Sequence, residues 1–274
     1  MGLKSLPPRR ELLAAALGFV GKSRRLILSR RRRGLSVMRK ADQTLVTDAD
    51  VAAERLLRSE IGKRFPEHGI VGEELPGVNL SSEFQWIIDP IDGTLSFARG
   101  IPLYGTIIAL HHRGRPLLGV IDHPALGECY SAAAGLGAWV NRRRLRLQDL
   151  PSGRPVEDEI LATGDRAHFG RCGRERLFDL LILGHPQVRS YADCFGHTLA
   201  ASGAAGAMVD YGVRLWDGAA TEVLIQESGG RYVLAERIEK PKSGSFYGVV
   251  FGKPRVVDWI LKLFALSKPP PASP

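Results

Sequence analysis

The segment Asp89–Thr94 carries the strongest chemical signal in the sequence. It reads Asp-Pro-Ile-Asp-Gly-Thr and follows the apolar run Trp86–Ile88, which predicts a short buried strand. Two carboxylates at the end of such a strand can face one site, and carboxylate and carbonyl oxygens bind hard cations such as Mg²⁺. Two such ions can hold a phosphoryl group from both sides, and the backbone N–H groups of Gly93 and Thr94 are then available for phosphate. A simple Asp/Gly turn is the alternative.

Two further acidic residues lie far from this segment in the chain. Glu73 stands in a Gly-Glu-Glu stretch upstream, and Asp217 follows a tryptophan at the predicted start of a helix downstream. Taken alone, Glu73 is most simply a surface residue and Asp217 a helix N-cap. Their combination with Asp89 and Asp92, in this order, favours a shared metal site that acts on phosphate.

Elements in the first half must bring these acids together. A first helix is predicted from the Pro-Pro pair at 7–8 to Gly34, and a second begins near Thr47, which has capping-box spacing with Asp50. Three apolar runs separated by tight turns predict an antiparallel meander. Its strands are 104–110, 117–122 and 129–132.

The second half alternates between helix and strand. Helices are predicted at about 196–207 and 217–228, with a strand at 208–211 between them, so the chain is predicted to be α/β. A segment rich in proline and glycine, 149–157, marks the best internal boundary. It separates residues 1–148, with the acidic motifs and the antiparallel sheet, from an α/β half, 149–267, that completes the site. The proline-rich tail 268–274 is predicted to be disordered.

The chain is strongly basic, with a formal net charge of +9, which is consistent with either a nucleic-acid partner or an anionic substrate. The densest basic cluster is Arg30–Arg33, directly before Gly34. Arginines favour the negative end of the helix dipole, and glycine supplies a left-handed cap. We therefore interpret this cluster first as a solvated helix end, and nucleic-acid binding is the alternative.

Other classes of protein are disfavoured by composition. The three cysteines, at 129, 172 and 194, are far apart, so neither a disulfide framework nor a zinc site is indicated, and a reducing cytoplasm is expected. The apolar run Leu12–Val20 is flanked by charges and is too short to span a bilayer. No membrane association is predicted.

Weaker patterns were given structural interpretations. Gly135-Leu136-Gly137 lacks the third glycine of a dinucleotide loop and is interpreted as a turn. The seven histidines are scattered. Because His111, His112 and His197 have no ligand spacing with a second histidine or cysteine, they are interpreted as structural or surface residues.

Together, the acidic motifs resemble the inositol monophosphatase superfamily, which includes fructose bisphosphatases and nucleotide bisphosphate phosphatases. The resemblance runs over about residues 11–264. The motifs that carry it are LVTDADVAAE (45–54), VGEE (71–74), WIIDPIDGTLSFARG (86–100) and WDGAATEVLIQESGG (216–230). It implies an αβαβα sandwich, commonly a homodimer, that hydrolyses a small phosphate monoester with Mg²⁺.

The resemblance also implies roles for single residues. One Mg²⁺ is implied to be bound by Glu73, Asp89 and the Ile91 carbonyl. A second is implied to be bound by Asp89, Asp92 and Asp217. Asp50 and Thr94 are implied to orient the attacking water and accept its proton. All of these positions hold the expected residue types, so catalytic competence is implied as well.

The substrate is suggested by a narrower resemblance, to the histidinol-phosphate phosphatase branch. Residues 89–106, LLGVIDHPALGE (117–128) and Tyr191–Phe195 carry it. Asp193 stands where inositol-specific members have a small residue, and a carboxylate there suits a substrate amine. The alternative is that Asp193 pairs with a nearby arginine such as Arg189.

Two departures bear on that substrate. Leu95 replaces the lysine that usually follows the Asp-Gly-Thr in the histidinol-phosphate branch, and Asp210 stands where a substrate-contacting glutamate is common. Histidinol phosphate is therefore the first expectation, with inositol monophosphate or another sugar or nucleotide phosphate as the alternative. A different class of function is an inactive scaffold that binds nucleic acid through Arg30–Arg33.

Overall fold

A computed structural model of the protein describes residues 7–40, 43–241 and 244–266. The helices in these ranges are α1 (Arg9–Arg33), α2 (Asp48–Arg64), α3 (Thr94–Arg99), α4 (Arg166–Arg171), α5 (Glu175–Gly184), α6 (Asp193–Ser202), α7 (Leu215–Ser228) and α8 (Pro254–Leu266). The strands are β1 (Val37–Arg39), β2 (Leu45–Thr47), β3 (Gly69–Gly72), β4 (Phe84–Asp92), β5 (Gly105–His112), β6 (Arg115–His123), β7 (Glu128–Ala133), β8 (Gly137–Val140), β9 (Arg143–Leu145), β10 (Leu161–Thr163), β11 (Val188–Ser190), β12 (Ala207–Val213), β13 (Arg231–Lys240) and β14 (Gly244–Gly252). The predicted disordered tail, 268–274, lies outside the described residues.

Helices and sheets alternate in five layers. The first sheet has the order β3-β4-β5-β6-β7-β8-β9 and the second the order β11-β10-β12-β14-β13, while β1 and β2 form a separate hairpin. Helices α1 and α2 pack on one face of the first sheet, and α6 and α7 lie between the two sheets. Helices α4 and α8 pack on the second sheet, where α5 adjoins α4. The predicted αβαβα sandwich is confirmed.

The middle strands of the first sheet are covered on both faces. Along β5, Ile107 and Ala109 pack in the core between the sheets, whereas Ile108 and Leu110 pack beneath α1 and α2. A strand buried on both faces has no polar face, which explains its continuous apolar sequence. Strands β5, β6 and β7 pair antiparallel, so the predicted meander is confirmed.

Helix α7 approaches the first sheet closely enough to fix the place of its acidic first turn. A Cβ added at Gly119 on β6 would lie 2.6 Å from the Cα and carbonyl oxygen of Ala220. Only glycine lets these two backbones meet at this distance. Since Ala220 lies one turn after Asp217, the contact also places that carboxylate beside the sheet.

Helix termini were predicted with mixed success. Helix α1 begins after Pro8 and α2 has the predicted capping box between Thr47 and Asp50. Gly34 ends α1 with φ 94° and ψ 152°, so the predicted left-handed α cap is wrong, although the positive φ still requires glycine. The helix predicted at 196–207 instead begins at Asp193 and stops at Gly203, a left-handed cap.

Candidate active site

The acidic segment lies at the end of β4, where pairing with β5 is interrupted. The register shifts between Asp89 and Asp92, and the strand ends at Asp92, so the two acids lie at the end of a buried strand, as predicted. The Asp89 carboxylate accepts a hydrogen bond from the Ile91 N–H at 3.0 Å. Gly93 then turns the chain with φ 80°, and α3 begins at Thr94. The bulge re-aims both carboxylates toward one cavity.

Three carboxylates from distant parts of the chain converge there. Asp89, Asp92 and Asp217 each offer an oxygen, and these oxygens lie within 4.8 Å of one another. The Asp217 carboxylate accepts from the N–H of Arg214 at 2.7 Å, at the start of α7. The Asp92 carboxylate accepts from the N–H of Cys194, at the start of α6. The N-terminus of α6 thus orients Asp92 from β4, and the N-terminus of α7 orients its own Asp217.

Burial raises the pKa values of these three carboxylates. Burial is the first cause for all three, and their mutual repulsion, together with that from Glu73, adds to it for Asp89 and Asp217. For Asp92, the hydrogen bond from Cys194 and the nearby His197 oppose the rise. None of the three carboxylates forms an ion pair within the described ranges. Buried acids without a cation are costly, so this donor set fits a hard divalent ion.

Glu73 lines the same cavity, but a lysine contacts its carboxylate. Lys40 Nζ donates to Glu73 Oε1 and to Glu74 Oε1, both at 2.7 Å. Burial and repulsion by Glu73 raise the pKa of Glu74 to about 7. The segment is held from behind by Glu54 on α2, which accepts from the N–H of Glu74 at 2.8 Å. The contact of Lys40 was not predicted from the sequence, because nothing in its spacing links it to Glu73.

Asp50 and Thr94 meet as the resemblance implied. Thr94 Oγ1 lies 3.3 Å from Asp50 Oδ1 and 3.1 Å from the Ile91 carbonyl oxygen. The other Asp50 oxygen accepts from the Thr47 N–H at 2.8 Å as part of the α2 capping box. Burial, with repulsion from Glu73, raises the pKa of Asp50 to about 6, against the opposing hydrogen bonds from Thr47. The capping-box acid of α2 therefore also contacts Thr94, which lines the cavity.

The cavity itself has a volume of about 930 Å³. Four of the acids described above line it: Glu73, Asp89, Asp92 and Asp217. A set of basic side chains lines it as well: Arg39, Lys40, Arg171, Arg214 and Lys240. Basic groups near the opening of a cavity attract an anionic substrate. A small phosphate ester therefore fits both its charge and its size.

Asp193 contributes a further acid to the wall of this cavity. Its φ is 59°, and its Oδ2 lies 3.1 Å from where a Cβ of Gly93 would be. Arg189 donates to the Val188 carbonyl and Gln187 Oε1, and within the described part of the chain Asp193 forms no ion pair. The alternative of an Arg189–Asp193 pair is therefore wrong in this structure. Asp193 lies directly against the Asp92–Gly93 backbone.

Asp210, on β12, is held by His197, which was predicted to be a structural or surface residue. His197 Nε2 lies 3.1 Å from Asp210 Oδ2, and His197 Nδ1 lies 2.7 Å from Thr221 Oγ1. His197 also lines the cavity. Its distance of four residues from Asp193 puts both on one face of α6, and this spacing is the signal that could have revealed it.

The arginine cluster at the end of α1 is partly used inside the fold. Arg30 forms an ion pair of 2.7 Å with Asp48, at the start of α2. Arg31 donates to the Phe97 carbonyl at 2.8 Å, in the last turn of α3. These contacts support the interpretation of a helix end, because two of the four guanidinium groups stabilise elements next to the site.

Comparison with known proteins accords with this geometry. Residues 9–257 match the inositol monophosphatase family. The chain belongs to that family. Like other members, it is a phosphatase that hydrolyses phosphomonoesters. Separately, none of its described helices has the length and apolar character needed to cross a membrane.

Similar members of the family carry several names. The chain is 41% identical to the histidinol-phosphatase of Chlorobaculum parvum, over 73% of this chain and 76% of that protein. It is 35% identical to that of Mycobacterium tuberculosis, over 77% and 82%, and 32% identical to the Nus factor SuhB of Xylella fastidiosa, over 72% and 71%. The solved inositol monophosphatase of Anabaena is 25% identical and superimposes with a TM-score of 0.77, covering 95% of this chain and 97% of that one.

Proposed function

We propose that the protein hydrolyses histidinol phosphate to histidinol and phosphate, and that it requires Mg²⁺. The observation that carries this proposal is the place of the Asp193 carboxylate, against the Gly93 backbone and beside the acidic cluster. Relatives named histidinol-phosphatase add support at 41% and 35% identity. A cytoplasmic homodimer stays a prediction.

The Mg²⁺ site is proposed at the convergence of the acids. Asp89, Asp92 and Asp217 would hold one ion, because their oxygens lie close together without a basic partner in the described residues. Asp89, the Ile91 carbonyl and Glu73 would hold the other, and Lys40 would then release Glu73. The chemistry that Mg²⁺ supplies when bound is activation of water and neutralisation of phosphoryl charge.

The proton of the attacking water is proposed to leave through Thr94. Its hydroxyl has two acceptors, the Ile91 carbonyl and Asp50 Oδ1, at 3.1 and 3.3 Å. When the hydroxyl donates to Asp50, its oxygen can accept a proton from water while its own proton passes to the carboxylate. Thr47 keeps the other Asp50 oxygen occupied, so Oδ1 is the oxygen directed at Thr94. The backbone N–H groups of Gly93 and Thr94, at the start of α3, are proposed to bind the phosphate.

Asp193 and Asp210, which line the cavity, are proposed to recognise the organic part of the substrate. In histidinol phosphate the amine is two carbon atoms from the ester oxygen, so an ammonium group lies close to the phosphate. Asp193 offers a carboxylate next to the predicted phosphate-binding backbone, where it can form a charge-assisted hydrogen bond. Asp210 is proposed to contact the rest of the substrate. Leu95, which is 60% exposed, supplies no cation beside the phosphate, so this role falls to the other basic residues of the cavity.

A phosphate-release panel tests the substrate. Histidinol phosphate, inositol 1-phosphate, fructose 1,6-bisphosphate and an adenosine bisphosphate would be compared by kcat/KM at equal Mg²⁺ concentration. The proposal expects the highest value for histidinol phosphate. A higher value for inositol phosphate or another amine-free ester would contradict it, without affecting the assignment of the chain as a phosphatase.

A further inference from the structure

His197 is a buried histidine in the wall of the active-site cavity, and the proposed reaction gives it no role. It lies on α6 and is 1% exposed. Both of its ring nitrogens have partners, Asp210 Oδ2 at 3.1 Å and Thr221 Oγ1 at 2.7 Å. The Phe251 ring packs edge-on against it at 5.0 Å. A histidine this well enclosed keeps one orientation, so whatever it holds is also fixed.

The two partners of His197 lie on different elements, Asp210 on β12 and Thr221 on α7. Asp210 is the acid proposed to contact the substrate, and Thr221 lies on α7, four residues after the proposed metal ligand Asp217. Residues four apart on a helix share a face. Asp193 and His197 both line the cavity from α6, whereas on α7 Asp217 lines the cavity and Thr221 is buried one turn behind it. His197 therefore connects Asp210, the proposed substrate contact, to α7, the helix that carries the proposed metal ligand Asp217.

The hydrogen bonds of His197 have a definite direction. A carboxylate can only accept, so Nε2 carries a proton and donates it to Asp210 Oδ2. When Nε2 carries the only ring proton, Nδ1 accepts from the Thr221 hydroxyl. This arrangement leaves one face of the carboxylate, through Oδ2, permanently occupied by protein.

The other oxygen of Asp210 is left for a ligand. Asp210 Oδ1 is buried and has no hydrogen-bond partner in the ranges that the structure describes. A Cβ at residue 164 would lie 2.4 Å from this oxygen, so Gly164 is needed to accommodate the carboxylate. An unpaired buried oxygen is costly, and the cost is removed when a bound group donates to it. Asp210 lines the cavity, where such a group can arrive.

We infer that His197 is the positioning residue that orients the Asp210 carboxylate toward a hydrogen-bond donor, an N–H or O–H, in the organic part of the phosphate ester. This inference rests on the proposed function only for the identity of that ester. For histidinol phosphate the donor is a ring N–H, so the cavity recognises the amine through Asp193 and the ring through Asp210.

The test compares two substitutions of His197 that differ in one hydrogen bond. His197→Gln places an amide N–H where Nε2 stands, whereas His197→Leu has a similar volume and no donor. The readout is the ratio of kcat/KM for histidinol phosphate to that for p-nitrophenyl phosphate, which has no N–H or O–H on its organic part. We expect His197→Leu to lower this ratio by about tenfold or more, through KM, and His197→Gln to restore most of it.

Equal losses for both esters, or equal losses in the Gln and Leu variants, would show that His197 only supports packing. Thermal unfolding of each variant confirms that it is folded. If the unaltered protein hydrolyses p-nitrophenyl phosphate and not histidinol phosphate, the proposed substrate is wrong, and the same ratio is then measured with the best ester of the panel.

A measurement without substrate decides the inference independently. The ¹⁵N spectrum of the imidazole should show the proton of His197 on Nε2, and Asp210→Ala should transfer it to Nδ1, toward Thr221 Oγ1. A ring that carries its proton on Nδ1 in the unaltered protein, or that does not respond to Asp210→Ala, would overturn the inference.

Discussion

Replacement of Asp193 by asparagine tests how the substrate is recognised. The residue has φ 59°, a conformation that asparagine adopts readily and alanine does not. Asp193→Asn therefore removes the negative charge while it keeps the shape and the backbone. An alanine variant would add backbone strain of about 1–2 kcal/mol and would confuse the two effects.

The size of the effect follows from the surroundings of the carboxylate. Asp193 has no ion pair in the described residues, and burial together with repulsion from Asp92 and Asp210 raises its pKa. An ammonium group would be its first cationic partner. A hydrogen bond to a charged group contributes about 1.5–3 kcal/mol. We therefore expect kcat/KM for histidinol phosphate to fall by about 10- to 150-fold.

The assay measures kcat/KM for histidinol phosphate and for the amine-free p-nitrophenyl phosphate. Asp165→Asn is the matched control, because Asp165 also lines the cavity, while its Oδ1 caps α4 by accepting from the His168 N–H at 2.9 Å. An asparagine can keep that cap. The reasoning is refuted if Asp193→Asn slows both esters equally, or if Asp165→Asn has the same selective effect.

Three further predictions concern the proton path and stability. Thr94→Ala should lower kcat by about 10² with little change in KM, and a change confined to KM in steady-state kinetics would contradict its role. Asp50 must be ionised to accept a proton, and its pKa is raised to about 6, so kcat should fall as the pH decreases. Mg²⁺ bound beside Glu73 would lower the pKa of Asp50. A pH profile of kcat with a midpoint above about 6 would therefore argue against Asp50 as the proton acceptor. Burial lowers the pKa of His111 to about 4 in the folded protein, whereas it is about 6.5 in the unfolded chain. The folded state therefore disfavours the protonated ring, and the free energy of unfolding should decrease as the pH falls from about 6.5 through 4. Urea unfolding should show a loss of about 3 kcal/mol across that window, absent in His111→Leu.

Much of the fold was predictable because its signals are local. The Thr47–Asp50 capping box, the apolar runs of β5 to β7 and the acidic segment after Trp86 each follow from short stretches of sequence. Glycine was less informative, because it permits a positive φ without requiring it and without fixing ψ. That explains the wrong cap at Gly34.

The missed features of the site depend on contacts between distant residues. Lys40 reaches Glu73 from the end of β1, where the β1–β2 pair lines the cavity, and His197 meets Asp210 because α6 packs on β12. Neither residue has a motif of its own. The early start of α6 was also hidden, because Asp193 enters the helix through an unusual positive φ.

Dependence of phosphate release on Mg²⁺ is the most direct test of the central claim, that Asp89, Asp92 and Asp217 form a metal site for phosphoester hydrolysis. Protein treated with excess chelator should release no phosphate from its best substrate, and Mg²⁺ should restore the full rate. Asp89→Asn, folded as judged by thermal unfolding, should stay inactive at every Mg²⁺ concentration. Hydrolysis that continues at the full rate in chelator, or near-normal activity of Asp89→Asn, would contradict the account.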